Sequence, residues 1–224
     1  ELQDGGSIRA LVRRAESAER LSDAGIKTVT CNLDERHGLP AIDLNEQVLY
    51  WFVPPPPDGL FDPRIAVLLN SIADSALPSR LVLISTTGVY GDCDGAWITE
   101  SQPLRPKTGR ARRRVDAERV AGNWCRRTGV TTVILRVPGI YGPGKLPIKR
   151  LQRQEPVLAP EQSPWRNRIH VVDLVRACVA AARIEMEDTL TLPAICNVSD
   201  GNPSTMADYF FAVAKSKGLS NPPI

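Results

Sequence analysis

Short apolar runs alternate with segments of helical periodicity along most of the chain. The apolar and β-branched runs predict strands at residues 8–12, 28–33, 47–53, 80–85, 131–137 and 194–198. Apolar residues recur at helical spacing between these runs and predict helices that include residues 63–75, 108–127 and 174–183. Nearly continuous apolar strands are typical of burial on both faces, and helices between them imply parallel crossovers. The pattern therefore predicts an α/β fold with a doubly wound parallel sheet.

Composition and charge narrow the classes of function. The chain has 224 residues, of which 42% are hydrophobic and 24% charged, as expected for one ordinary domain with at most a small appendage. The net charge of +3 predicts neither a nucleic-acid nor a membrane-surface partner, and no apolar run reaches the roughly 18 residues of a membrane span. Five scattered cysteines without a C-x-x-C pair, with only two histidines, favour a reducing cytoplasm and argue against zinc.

Glycine-containing motifs follow several of the predicted strands. Thr86 lies in I-S-T-T-G-V-Y-G, four residues before Tyr90, and R-V-P-G-I-Y-G-P-G begins at Arg136. Two further motifs are R-I-H-V-V-D from Arg168 and N-V-S-D-G from Asn197. In this combination the chain resembles the extended short-chain dehydrogenase/reductase family, the NAD-dependent epimerase/dehydratases. It is similar to an atypical branch of that family whose substrates are unassigned.

The resemblance implies a Rossmann-like sheet that binds NADP or NAD. Residues 1–145 are then the NAD(P)-binding domain, and residues 146–224 form a small substrate-binding lobe packed on it. The family's first strand and glycine-rich phosphate loop are not found ahead of residue 8, so we expect the domain to be N-terminally incomplete. The first six residues contain no basic or apolar stretch, and we expect a chain that starts midway rather than a signal peptide.

The ends of the predicted strands supply the candidate cofactor contacts. Arg13 and Arg14 follow the first strand, where such sheets read the ribose, and arginine pairs a 2′-phosphate bidentately. We therefore expect a preference for NADP; the alternative is a solvated helix N-terminus. Pro54 and Pro55 open a run of four prolines, which is either a rigid wall beside the nicotinamide or a ligand for an SH3 or WW domain. The resemblance implies further contacts at Asp34, Thr86, Pro138, Gly139 and Ile140.

The Tyr-x-x-x-Lys pair that the resemblance implies is missing. Counting back from Glu118, its positions are occupied by Arg110 and Arg114, and no tyrosine occurs between Tyr90 and Tyr141. A guanidinium group does not exchange protons near neutral pH. The usual proton-transfer pair is therefore absent.

Thr86 and Arg114 remain as the catalytic candidates. Thr86 is placed to donate a hydrogen bond to a substrate carbonyl, although capping a strand end is the more ordinary role of such a threonine. Arg114 is a candidate for holding a ribose hydroxyl. Because the family's counterparts of Tyr90 and Tyr141 are structural, we expect no tyrosine hydroxyl near Thr86. We expect Arg110 or Arg114 to face that space or the solvent.

Arg166 and His170 are the candidate substrate contacts. Arg166 matches the position that contacts a substrate phosphate in nucleotide-sugar members of the family. The resemblance therefore implies a small-molecule substrate that is anionic or sugar-like. For His170 and Asp173 the alternative is a hydrogen-bonded start of the helix at residues 174–183.

The arginine run at residues 110–114 raises the question of nucleic acid. Asp116 and Glu118 lie within i, i+4 reach of Arg112 and Arg114, so we expect a solvated, self-paired helix face instead. The resemblance implies that this helix contributes to a homodimer interface. Two functions stay open: an NAD(P)-dependent epimerase/dehydratase or reductase, and an NADP(H)-binding sensor or scaffold without turnover.

Overall fold

Parallel strands and the helices between them form the centre of the molecule, described here from a computed structural model for residues 6–35, 39, 42–185 and 193–224. The strands are β1 (Arg9–Val12), β2 (Lys27–Thr30), β3 (Val48–Trp51), β4 (Arg80–Thr86), β5 (Thr131–Val137), β6 (Gly139–Tyr141), β7 (Trp165–Arg166), β8 (Arg168–His170), β9 (Ala194–Asn197) and β10 (Ser204–Thr205). The helices are α1 (Ala15–Asp23), α2 (Pro63–Ser71), α3 (Gly109–Thr128), α4 (Ile148–Gln152), α5 (Val171–Arg183) and α6 (Met206–Lys217). The first five residues lie outside the described ranges.

Four strands pair into the main parallel sheet in the order β3-β4-β5-β9. Within the described ranges, β1 and β2 form a separate parallel pair, β6 pairs with β8 in parallel, and β7 pairs with β10 in antiparallel orientation. Each parallel neighbour in the main sheet is reached by a crossover, which parallel pairing requires. The α/β fold class is confirmed.

The two faces of the main sheet are covered by different helices. Leu81 and Leu83 on β4 belong to a buried cluster with residues of α2 and α3, including Trp124. Val82, between them, points the other way and packs in a second cluster with Leu174 and other residues of α5. Successive side chains of a strand alternate between faces, so a strand covered on both sides reads as a continuous apolar run. The doubly wound arrangement is confirmed.

The second part of the chain contributes to two regions. Helices α4 and α6 pack around Leu151 and Phe210 in a separate hydrophobic cluster. By contrast, β9 pairs with β5 in the main sheet, and α5 packs on one face of that sheet. The division at residue 145 stays a prediction. In the described part of the chain, no helix is both long enough and apolar enough to span a membrane.

A buried ion pair joins α3 to the main sheet. Arg136 on β5 is 3% exposed and donates to both carboxylate oxygens of Glu118, with 2.8 Å between Nη2 and Oε2. The Ser85 hydroxyl donates to the same carboxylate. Arg136 also donates to the Tyr90 hydroxyl at 2.8 Å, which donates in turn to Asn197 Oδ1 at 2.7 Å. One network therefore connects β4, β5, β9 and α3.

Helix α3 does not have the solvated, self-paired face that its sequence suggests. The expected pairing of its acids with Arg112 and Arg114 is wrong, because Glu118 belongs to the buried network and Asp116 accepts from Arg119 at 2.7 Å. Arg114 is itself buried, and only Arg112 among the expected donors is exposed. Packing against both α2 and the sheet puts part of this charged surface in the interior, where charges pair across elements.

We expect Arg136→Met to destabilise the fold strongly. Removing the guanidinium leaves Glu118 buried without its counter-ion, at a cost of about 3–5 kcal/mol in the free energy of unfolding. The matched control is Arg176→Met, since Arg176 pairs with Asp173 at an exposed site and its loss costs about 1 kcal/mol or less. Urea denaturation of both variants measures the difference. Equal losses would contradict a structural role for the buried pair.

Candidate active site

The candidate residues come together at one edge of the molecule because the main strands are parallel. Thr86 ends β4 and is paired in register with Val137, which ends β5. Pro138 follows directly, and Gly139 opens β6. The proline loop, which we define as residues 53–59, follows β3 at the same edge. Ligands of open α/β sheets bind outside the carboxyl ends of the strands, so this edge is the candidate site.

Thr86 has the capping role that is the more ordinary alternative for its position, and its donation to a substrate carbonyl stays a prediction. Its Oγ1 accepts a hydrogen bond from the Gly88 amide at 3.2 Å and so caps the short 3₁₀ turn that begins at Thr87. A hydroxyl that accepts one bond still has its proton to donate. Thr86 is half-buried at the end of β4. The cap therefore fixes the side chain without using its donor.

The hydroxyls of Tyr90 and Tyr141 interact with residues other than Thr86. Tyr90 is buried and its hydroxyl binds Arg136 and Asn197. Burial, and then interaction with Asp200, raises the pKa of Tyr141. Among the described hydrogen bonds, none joins either tyrosine to Thr86.

The two arginines at the Tyr-x-x-x-Lys positions have different environments. Arg110 is exposed, in agreement with the expectation that one of the pair faces solvent. Arg114 is 6% exposed and donates from Nη1 to the Val53 carbonyl at 3.2 Å. Burial lowers the pKa of Arg114, and the nearby Asp62 carboxylate opposes that shift. Contact of Arg114 with a ribose stays a prediction.

Three arginines hold the backbone of the proline loop. Arg114 binds the Val53 carbonyl at the start of the loop, and Arg113, which is 7% exposed, binds the Gly59 carbonyl at its end at 2.7 Å. Arg64 on α2 donates to the Pro54 carbonyl at 3.0 Å. Prolines have no amide to donate and a fixed φ, so the loop depends on its carbonyls for anchoring. The loop is thus a rigid rim beside the candidate site.

A buried carboxylate lies next to these anchors. Asp62 is fully buried and caps α2, accepting from the Arg64 amide at 3.2 Å, while its own amide donates to Asp116 at 2.9 Å. Its Oδ2 has no hydrogen-bond partner among the described residues. Burial raises the pKa of Asp62, and the charge of Arg114 works against that rise. Arg114 therefore supports both the loop and this carboxylate.

The predicted cofactor residues Arg13 and Asp34 are in direct contact. Arg13 Nη1 lies 3.1 Å from Asp34 Oδ2, and Asp34 is also bound by Arg64. Arg14 is the N-cap residue of α1 and makes no side-chain cap. The structure therefore brings the loops after β1 and β2 together at Asp34.

On the substrate side, the structure assigns His170 a local contact. His170 Nδ1 accepts from the Val172 amide at 3.4 Å and caps α5, as its alternative interpretation suggested. Its ring meets the ring of Tyr141 edge-on, with 5.2 Å between centroids. Arg166 is exposed on β7, and its charge contributes to lowering the pKa of Asp92, after the Asp94 amide and Lys107. Their substrate contacts stay predictions.

Sequence reasoning missed Arg64, Asp62 and Arg113. The sequence Asp62-Pro63-Arg64 has one recoverable signal, since an aspartate before a proline is a typical helix start. Nothing local indicates the partners of Arg113 or Arg64, because both reach backbone carbonyls of the proline loop.

Comparison with known proteins agrees with this geometry. A family model, described as the NAD dependent epimerase/dehydratase family, matches residues 65–191. The chain belongs to this family. No curated protein matches the sequence.

Solved structures of this family share the fold. A conserved protein of unknown function from Silicibacter pomeroyi is 30% identical, with a TM-score of 0.77 over 99% of this chain and 73% of that one. UDP-glucuronic acid 4-epimerase from Bacillus cereus, solved with NAD, is 18% identical, with a TM-score of 0.75 over 97% and 78% of the two chains. UDP-glucose 4-epimerase from Thermotoga maritima, solved with UDP-glucose, is 16% identical, with a TM-score of 0.74 over 100% and 78%.

We expect Arg114→Met to loosen the proline loop and destabilise the fold. The Val53 carbonyl loses its donor and Asp62 loses a compensating charge, which together cost about 3 kcal/mol. Arg112→Met, an exposed change on the same helix, is the control and is expected to stay within about 0.5 kcal/mol of the parent. Urea denaturation of both variants measures the difference in the free energy of unfolding. Equal stability of Arg114→Met and Arg112→Met would show that the loop and Asp62 are held by other contacts.

Proposed function

We propose that this member of the epimerase/dehydratase family binds NADP in preference to NAD at the edge formed by the loops after β1 to β5. The observation that carries the proposal is Arg13, which is 54% exposed at the end of β1 while Asp34 fixes its guanidinium. An exposed guanidinium there matches a 2′-phosphate. Support for an NAD-type cofactor also comes from the family and from the NAD-bound epimerase that shares the fold.

The residues at this edge offer different features to the two halves of such a cofactor. Arg13 and Arg14 supply positive charge for the phosphate-bearing half, and the proline loop offers an apolar rim for the nicotinamide half. NADP, when bound, supplies a hydride donor or acceptor. We propose that the Thr86 hydroxyl donates a hydrogen bond to a substrate carbonyl, with Pro138, Gly139 and Ile140 alongside.

Proton transfer is the step for which this chain's residues are least equipped. Reduction of a carbonyl consumes a proton, and oxidation of a hydroxyl releases one. Thr86 is too weak an acid to do this alone, and the guanidinium of Arg110 or Arg114 does not exchange protons near neutral pH. We propose that Arg114 acts as a positioning residue that holds the proline loop through Val53.

The proposed substrate is a small anionic or sugar-like molecule. Arg166 is exposed on β7, where a phosphate can reach it without displacing a buried partner. One structure that shares the fold contains UDP-glucose. Nucleotide sugars are therefore the substrates to test first, with His170 beside them as a second contact.

A second candidate function is an NADP(H)-binding protein without turnover. It is favoured by the residues at the two positions expected for Tyr-x-x-x-Lys, since Arg110 is exposed and Arg114 donates a hydrogen bond to the Val53 carbonyl. Neither group is available for proton transfer. The two candidates share the cofactor site and differ only in whether Thr86 faces a reacting carbonyl.

Calorimetric titration of the full-length protein with NADP and NAD tests the cofactor assignment. We expect NADP to bind about tenfold more tightly, since one charge-assisted contact is worth about 1.4 kcal/mol or more. Arg13→Ala is expected to remove that preference. Equal affinity, or a preference for NAD, would contradict the NADP assignment, and absence of binding by both would remove the cofactor site.

Turnover decides between the two candidates. UDP-glucose and UDP-glucuronic acid are incubated with the full-length protein and NADP, and conversion is followed by NMR together with NADPH absorbance. If the chain is an enzyme, we expect Thr86→Val to lower kcat at least tenfold while the Kd for NADP stays within about twofold. A non-catalytic binder shows no conversion of these sugars in either protein while still binding NADP.

A further inference from the structure

The segments that follow β1, β2 and β3 are joined by contacts of Asp34 and Arg64. Asp34 accepts from Arg64 at both oxygens, with 2.6 Å between Nε and Oδ1 and 2.8 Å between Nη2 and Oδ2. Arg13 donates to Oδ2 at 3.1 Å. Arg64 also reaches the Pro54 carbonyl at 3.0 Å. Arg64 therefore holds the β2 and β3 loops together, and Asp34 connects that unit to the end of β1.

Contacts with residues other than Arg13 hold Asp34 in place. The Arg64 side chain is only 11% exposed and belongs to the first turn of α2, so its guanidinium has little freedom. The Asp34 amide also donates to Asn32 Oδ1 at 3.2 Å, which sets the local turn. Hydrogen bonding from Arg64 lowers the pKa of Asp34, so its carboxylate stays charged at neutral pH.

The contacts leave Asp34 little capacity for a ligand but leave Arg13 available. Oδ2 already accepts two bonds, which fills its two lone pairs, and Oδ1 accepts one. The Arg13 side chain is 54% exposed, and its printed contact with Asp34 uses only Nη1 of its donor atoms. The three positive charges of Arg13, Arg14 and Arg64 outnumber the one negative charge of Asp34. Two further acids, Glu16 and Glu35, are close in sequence to these residues. Glu16 lies in the first turn of α1, and Glu35 accepts from Asn32.

We propose that Asp34 is a positioning residue that orients Arg13 toward the 2′-phosphate and thereby sets the preference for NADP over NAD. The inference rests on the proposed cofactor binding. It assigns Asp34 a role through Arg13 and not through direct contact with the cofactor. A fixed guanidinium loses less freedom when it binds phosphate, so the carboxylate contributes selectivity although it bears the same charge as the ligand.

The test compares Asp34→Asn with Glu35→Gln in the full-length protein. The ligands are 2′,5′-ADP and ADP, which differ in the 2′-phosphate, together with NADP and NAD. We expect Asp34→Asn to weaken 2′,5′-ADP and NADP about tenfold while ADP and NAD stay within about twofold. Glu35→Gln neutralises the neighbouring acid and is expected to leave the selectivity unchanged.

Two further variants keep the outcome decisive. Arg64→Lys retains the charge but cannot hold both oxygens, so it lowers the NADP preference in the same direction even if Asp34→Asn folds poorly. Combining Asp34→Asn with Arg13→Ala is expected to add no loss of selectivity beyond that of Arg13→Ala alone, because both changes act through the same contact of Arg13 with the 2′-phosphate.

Equal weakening of NAD and NADP binding by Asp34→Asn would overturn the proposal in favour of direct contact between Asp34 and the cofactor. Tighter NADP binding would overturn it in favour of simple charge repulsion. Failure of the parent protein to bind any of the four ligands would instead overturn the cofactor site itself.

Discussion

The buried pair of Arg136 and Glu118 is the constraint on which the arrangement of the site depends. Its two charges lie in the interior, where an unpaired ion is costly, so β5 and α3 have little freedom to move apart. Ser85 binds the same carboxylate and directly precedes Thr86. A buried network thus fixes the strands and the helix that carry the candidate site. None of the residues proposed to touch a ligand belongs to this network.

The elements of the fold are readable from the sequence where burial is uniform. The largely apolar and β-branched run at residues 131–137 predicts β5 to the residue, because a strand covered on both faces favours apolar and β-branched side chains along most of its length. Helix α3 shows where that reasoning stops. Its charges suggested a solvated surface because i, i+4 spacing describes an isolated helix, whereas burial made Glu118 pair with β5 and Arg114 with Val53. The contact of Arg13 with Asp34 could likewise not be predicted from local sequence patterns, although both residues follow predicted strands.

Arginines stand on α3 at the two positions where the resemblance led us to expect tyrosine and lysine. At the second position, the longer, permanently charged side chain reaches the Val53 carbonyl and makes the helix a support for the proline loop. At the first position the side chain of Arg110 remains in solvent. In this chain, α3 therefore supports the backbone of the proline loop.

The proline loop also has a thermodynamic consequence. A chain with four successive prolines has few conformations to lose, and its carbonyls at Val53, Pro54 and Gly59 are bound before any ligand arrives. A ligand that bound at this rim would not have to supply the ordering entropy that a mobile lid requires. The heat-capacity change of such binding would then report the apolar and polar surface removed from water, with little contribution from folding of the loop.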